Sequence, residues 1–190
     1  MSRTRGTDRR ESIIRAAFEV IAERGYRGTS LAAVAERVGL TQQGLMHYFP
    51  SKEDLLTAVL ETRDEWDLLN FGRSAAPPAM TPGQLADLVD YNATRPGIVQ
   101  TYTVLSADSV TEGHPARQYF HDRYRRVRAG IAQLLERNRE LLPPGLTPEQ
   151  LAPLAIAVLD GLQLQWLLDP EEVDMPQSFR DFLTLLGTKP

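Results

Sequence analysis

The stretch "VGLTQQGLMHYFPSKEDL", residues 38–55, decides how this chain reads. Gln42, Gln43, His47, Tyr48 and Lys52 stand among a few apolar residues, and Pro50 interrupts the run. Ala35, Gly39 and Leu45 fit the spacing A-x3-G-x5-L, in which two short helices meet at a sharp turn. A small residue at 35 lets the helices approach, and glycine at 39 supplies the positive φ that the turn needs. Val34, Val38, Leu40, Leu45 and Tyr48 are then expected to share a small core. A unit of this kind offers its second helix to the major groove of DNA.

The charge distribution points the same way. The chain of 190 residues has a net charge of −4, yet residues 1–52 hold nine Lys/Arg against five Asp/Glu. Residues 53–190 hold twelve against twenty. A basic front on an acidic body implies that only the front meets a polyanion, unless the asymmetry is chance. Hydrophobic residues at 42% and charged residues at 24% suit a soluble globular protein. No unbroken apolar run approaches the ~18 residues of a membrane span. The basic N-terminus lacks the apolar stretch of a secretory signal. Cysteine is absent, which excludes disulfides, thiolate-bound zinc and thiol nucleophiles. A cytoplasmic protein without membrane contact is expected.

Helical periodicity dominates and strand alternation is almost missing, so an all-α fold of about nine helices is predicted. The first spans roughly 7–24, turns Ile13, Ile14, Ala17, Val20 and Ile21 to one side, and stops at Gly25. The next runs over 30–38 with Thr29 or Ser30 as N-cap, and the third over 41–47. Ser51, paired with Asp54, caps a helix that reaches about 71. "GRSAAPPAMTPG", 72–83, reads as a linker. Further helices are expected at 81–92, 97–110, 115–140, 148–169 and 176–186.

The run from 9 to 60 resembles the N-terminal domain of the tetracycline-repressor (TetR) family of transcription regulators. "AAFEVIAERGYRGTS", "AVAERVGLTQ" and "HYFPSKEDLL" carry the resemblance, in order and at family spacing. It covers about a quarter of the chain closely. It implies a helix-turn-helix DNA-binding domain over 1–52, joined to a helical effector-binding and dimerisation domain over 53–190. Thr41 then opens the recognition helix and leaves Gln42 and Gln43 nearest the bases, where their amides suit adenine. Thr29 and Ser30 begin the preceding helix, placed for phosphate. His47 matches a phosphate contact of the family. Tyr48 is expected to pack its ring on the first helix with its hydroxyl toward DNA, and Phe49 to be structural. Lys52 lies in a first helical turn, where the macrodipole disfavours a cation and a nearby phosphate reverses that. Arg3, Arg5, Arg9 and Arg10 form either a DNA-contacting arm or a solvated tail. Two positions depart from the family pattern. Met46 stands where many members have Tyr, and Gly44 gives a thinner surface at about 1 kcal/mol of helix stability relative to Ala.

The resemblance also implies a small-molecule effector of unknown identity and a homodimer on a double-stranded DNA operator. Leu154, Val158 and Leu162, with Phe179, Phe182, Leu183 and Leu186, are candidates for a four-helix seam, or else pack inside one monomer. Trp66, Phe71, Tyr91, Tyr102, Tyr119, Phe120, Gln163 and Trp166 are candidates for the effector pocket, with core packing as the alternative for each. Asn92, Gln100 and Asp160 are possible polar additions. His114 and His121 lack a third ligand, with Asp122 expected to point elsewhere, so no metal or cofactor is assigned. Arg123, Arg125, Arg126 and Arg128 form a solvated surface or an internal anion site. No catalytic motif is present: there is no G-x-S-x-G elbow, P-loop or H-E-x-x-H. An enzyme and a helical interaction module with a vestigial helix-turn-helix are the competing classes.

Overall fold

Helix boundaries fall where the chain carries its punctuation. The computed structural model describes residues 2–71, 81–142 and 144–187, with side chains described at 8–63, 81–140, 142 and 144–187. It contains nine α-helices and no strand among the described residues. Helix α1 (Ser2–Gly28) begins earlier than expected and kinks rather than stops at Gly25, whose φ is 66°. A side chain there would be strained, so glycine permits the kink. Helix α2 (Leu31–Arg37) is capped by Ser30, whose hydroxyl accepts from the Ala33 N–H at 3.1 Å. Helix α3 (Gln42–Met46) follows Gly39, also at φ 66°, and Thr41 caps it through the Gly44 N–H at 3.0 Å. Before α4 (Lys52–Phe71), the Asp54 N–H donates to Ser51 Oγ at 3.0 Å and the Ser51 N–H to Asp54 Oδ2 at 3.1 Å. Reciprocal capping of that kind is what the sequence predicts.

Helices α5 (Pro82–Ala93), α6 (Pro96–Asp108), α7 (Arg117–Arg137), α8 (Pro148–Leu168) and α9 (Met175–Leu185) follow, with a 3₁₀ turn at Arg139–Leu141. Thr81 with Gln84, and Thr147 with Gln150, form capping boxes before α5 and α8. Of the linker expected at 72–83, residues 72–80 lie outside the described residues, and Pro82 already belongs to α5.

The chain forms two compact units that do not follow its order. The first comprises Met1–Glu65 and Gln100–Arg117. Its buried residues include Ile13, Ile14, Val20, Ile21, Val34, Leu45, Phe49, Leu55, Val59 and Leu105. Leu45 has no exposed surface, and its truncation to Ala would cost about 2–5 kcal/mol. Val34 and Leu45 are buried as expected, whereas Val38 and Leu40 are half-buried and Tyr48 is exposed. Tyr48 is 37% exposed. Helix α6 is stitched to α1 and α4 through their carbonyls. Thr101 Oγ1 donates to Phe18 O at 2.9 Å, Gln100 Nε2 to Ala22 O at 3.2 Å, and Tyr102 OH to Leu60 O at 3.0 Å. A helical carbonyl has a second lone pair for such a bond.

The second unit comprises Trp66–Val99 and Gln118–Pro190. Its core draws Leu85 and Val89 from α5, Ile131, Leu134 and Leu135 from α7, and Leu151, Ala152 and Ala155 from α8. Met175, Phe179 and Leu183 of α9, with Leu186 just beyond it, close the core. Three of these correct the expected dimer seam: Phe179, Leu183 and Leu186 face inward. The strongly one-sided α9 has only one apolar stripe, and the core takes it. Arg180 pairs with Asp90 between α9 and α5, and Tyr124 OH donates to Asp160 Oδ2 at 2.8 Å between α7 and α8.

Candidate nucleic-acid interface

Helices α2 and α3 pack together across the Gly39 turn, and α2 packs on α1. Ala35 is buried, and its carbonyl accepts the Leu40 N–H at 2.8 Å, which closes the turn. Arg37 then braces α2 to α1. It donates to Glu19 at 3.0 Å and holds both oxygens of Glu23, at 3.0 and 2.7 Å. A bidentate guanidinium–carboxylate pair fixes direction as well as distance. With Leu45 anchored inward, α3 turns Gln42, Gln43 and Met46 outward, and His47 and Tyr48 continue the exposed surface. Gly44 is half-buried; a β-carbon there would lie 3.2 Å from the capping Thr41 Oγ1.

The predicted phosphate-side residues divide. Ser30 is exposed at the start of α2, and its hydroxyl hydrogen remains available. Thr29 is 4% exposed, and its hydroxyl donates to Gly25 O at 2.8 Å. Its predicted phosphate contact is therefore corrected: the kink at Gly25 leaves a carbonyl that Thr29 satisfies. Lys52 sits with its Nζ 4.1 Å from the centroid of the Tyr26 ring. Burial pulls the Lys52 pKa down, and Glu53 opposes that. Tyr26 is 7% exposed and donates its hydroxyl to Glu53 Oε1 at 3.3 Å. Burial first, then the Glu53 charge and hydrogen bond, push its pKa up to about 12. Behind Tyr26, the His114 ring meets it edgewise at 5.0 Å. His114 Nδ1 accepts the Ala116 N–H at 3.2 Å, which leaves the proton of the neutral ring on Nε2. Burial lowers the His114 pKa, with Arg27 and Lys52 acting in the same direction and Asp108 against them. Sequence reading missed Tyr26 and the role of His114; the aromatic between glycines in "RGYRG" was the available signal. Arg10 places its guanidinium 5.0 Å from the ring centroid of the buried Phe49.

The other candidates are distributed. Trp66 and Phe71 lie in turns of α4 whose side chains fall outside the described residues. Tyr102 is buried in the first unit beneath the Arg63 guanidinium, 4.7 Å from its centroid. In the second unit, Arg95 stands 3.6 Å above the half-buried Tyr91 ring. Tyr119 meets the buried Phe120 edge to face at 5.2 Å, and Gln163 and Trp166 are half-buried on α8. Asn92 is buried as well. His121 pairs with Asp122 at 3.3 Å, so Asp122 does not point elsewhere. No group of three His, Asp or Glu side chains gathers among the described residues. Of the seven predicted seam residues, Leu154 is 54% exposed, while Val158, Leu162 and Phe182 are half-buried. The open stripe of α8 keeps Leu154 and continues through Ala157, Gly161, Leu164 and Leu168, at alternating spacings of three and four. Leu164 is 50% and Leu168 77% exposed, and a β-carbon on Gly161 would meet nothing within 4 Å. By length and composition α8 resembles a membrane span, which the broken apolar runs did not foretell. Its inner face nevertheless lies in the core.

Comparison with known proteins adds two family matches. Residues 13–59 match the bacterial regulatory proteins of the tetR family, and residues 77–186 match the C-terminal region of BetI-type transcriptional repressors. The chain is similar to the HTH-type transcriptional regulator BetI of Burkholderia thailandensis, with 30% identity over 94% of this chain and 93% of that protein. Among solved structures it is similar to NalD, the secondary repressor of the MexAB-OprM multidrug efflux pump in Pseudomonas aeruginosa. That match has a TM-score of 0.70 at 23% identity and covers 95% of this chain and 94% of NalD. A Saccharomonospora viridis protein, described as a transcriptional regulator and solved with choline, is similar at a TM-score of 0.69. Its identity is 19%, with 97% of this chain and all 100% of that chain covered.

Proposed function

Because the chain belongs to the tetR family of bacterial regulatory proteins, and is a DNA-binding transcriptional regulator rather than an enzyme, we propose a specific mode of action. It is a cytoplasmic homodimeric repressor that a small molecule releases from a pseudo-palindromic operator. The observation that carries this reading is the outward face of α3, with Gln42, Gln43 and Met46 set over a fully buried Leu45. Residues 1–52 bind DNA, and residues 53–190 bind the effector and form the dimer. Ser30, Thr41, His47, Tyr48 and Lys52 contact the backbone, while Gln42 and Gln43 face bases. Thr29 supports Ser30 from beneath.

The dimer forms through the α8 stripe, joined by Val158, Leu162 and Phe182 at its margin. Spacing of three and four along a helix builds a seam between two copies. Helices α4 and α6 each contribute residues to both compact units, which makes them the levers of induction. The effector prefers the arrangement in which the two reading heads are misplaced, and it shifts the population by that difference in affinity. Trp66, Phe71, Tyr91, Tyr119, Phe120, Gln163 and Trp166 remain the pocket candidates. Arg95 already occupies one face of Tyr91. A permanently cationic ligand would compete with that guanidinium for the ring, which favours a neutral or anionic effector. Choline at millimolar concentration is expected to leave the melting temperature unchanged, and a rise would refute that charge assignment.

The test of function is enrichment of fragmented genomic DNA by the purified protein. A salt-dependent, two-fold symmetric footprint is expected. Failure to enrich any fragment at low or moderate salt would refute the assignment.

A further inference from the structure

Helix α3 carries no Lys, Arg, Asp or Glu anywhere in Gln42–Met46. The common reader of guanine is a cation, and the common acceptor from cytosine is a carboxylate. Neither is on this face. The two glutamines suit adenine, and Met46 is left as a 42% exposed apolar group in the middle of a polar surface. At about 100° per residue, Met46 projects between Gln42 and Gln43, one turn further along. The major groove offers one apolar group at that depth, the C5 methyl of thymine. A thioether chain is flexible and polarizable enough to cover it.

We infer that Met46 reads a thymine methyl beside an adenine engaged by Gln42 or Gln43, so that each half-site has an A·T core. Met46 is then a specificity-determining residue and not a lost hydroxyl. The assignment deepens the DNA-reading function proposed above and rests on it.

The experiment uses the full-length protein and a library of duplexes with a randomised centre, selected and then resynthesised with uracil in place of thymine. Uracil keeps the pairing and removes only the methyl. Wild-type protein is expected to select A·T-centred half-sites and to lose about fourfold in affinity per half-site on uracil DNA, the factor for ~0.8 kcal/mol from one methyl-sized group. Met46→Ala is expected to bind thymine and uracil duplexes equally, and Met46→Leu to keep most of the discrimination. A G·C-centred selection, equal wild-type affinity for the two duplexes, or a Met46→Ala protein that still prefers thymine overturns the inference and leaves the DNA-reading function standing. No selection at all overturns both.

Discussion

Helices α3 and α8 both turn a face to solvent, and the two faces are opposites. The α3 face is five residues long, held by one cap and one buried leucine, and polar except at Met46. The α8 face is a run of leucine, alanine and glycine on a helix of 21 residues, rimmed by Asp160 and Gln165. Exposure is common to both, so exposure does not identify a partner. Composition does. Amides on a thin helix match base edges, and an apolar stripe matches a second copy of itself.

The comparison is tested most severely at α8. Leu164→Glu puts a carboxylate in the middle of the stripe, where a dimer would have to desolvate it. Sedimentation velocity should then find a monomer at concentrations where the wild type is dimeric. Operator affinity should fall roughly 10²-fold or more as the linkage of two half-sites is lost. A dimeric Leu164→Glu protein would show that the seam lies elsewhere. At α3 the expected losses are smaller and differ in kind. Gln43→Ala should lose roughly tenfold on the selected operator, within the range of one amide–adenine pair, and little on unrelated DNA. Lys52→Ala should weaken all sequences equally and reduce the salt slope by about one. Titration by mobility shift at two salt concentrations separates the two, and unchanged binding in both variants would remove α3 and Lys52 from the interface.

The smallest effect concerns His114, whose ring packs against Tyr26 on the Lys52 side of the proposed reading surface. Its folded pKa lies below the ordinary histidine value, so the unfolded chain takes up the proton first. Stability is therefore full above about pH 6.5 and falls as the pH drops toward the folded pKa. His114→Gln should flatten that decline, measured as melting temperature between pH 7.5 and 5. The same slope in the variant would place the titration on another group.

Much of the head was legible because its physics is local. Gly39 turns the chain between α2 and α3, and Ser51 with Asp54 closes a cap using neighbours in sequence. Thr29 was misread because its partner, the Gly25 carbonyl, becomes available only when α1 kinks. Tyr26 and His114 meet through the return of the chain after α6, which no local pattern records. Helix α8 failed for a different reason. It is apolar on nearly every side, so periodicity could not choose between Val158 and Leu162 and the open stripe that begins at Leu154. The α9 stripe is legible as apolar, and between a dimer seam and packing inside one monomer its burial falls to the second.

Lys52 rests on the Tyr26 ring before any DNA is present. A lysine clamped from free solution surrenders about 2 kcal/mol of rotamer entropy, and one already held surrenders less. Encounter with DNA is governed by the summed charge of the head and does not depend on this ordering. The advantage belongs to the bound state and appears in the dissociation rate. If Lys52 grips the operator as proposed, how long the protein stays there is set in part by an aromatic ring buried beneath that surface.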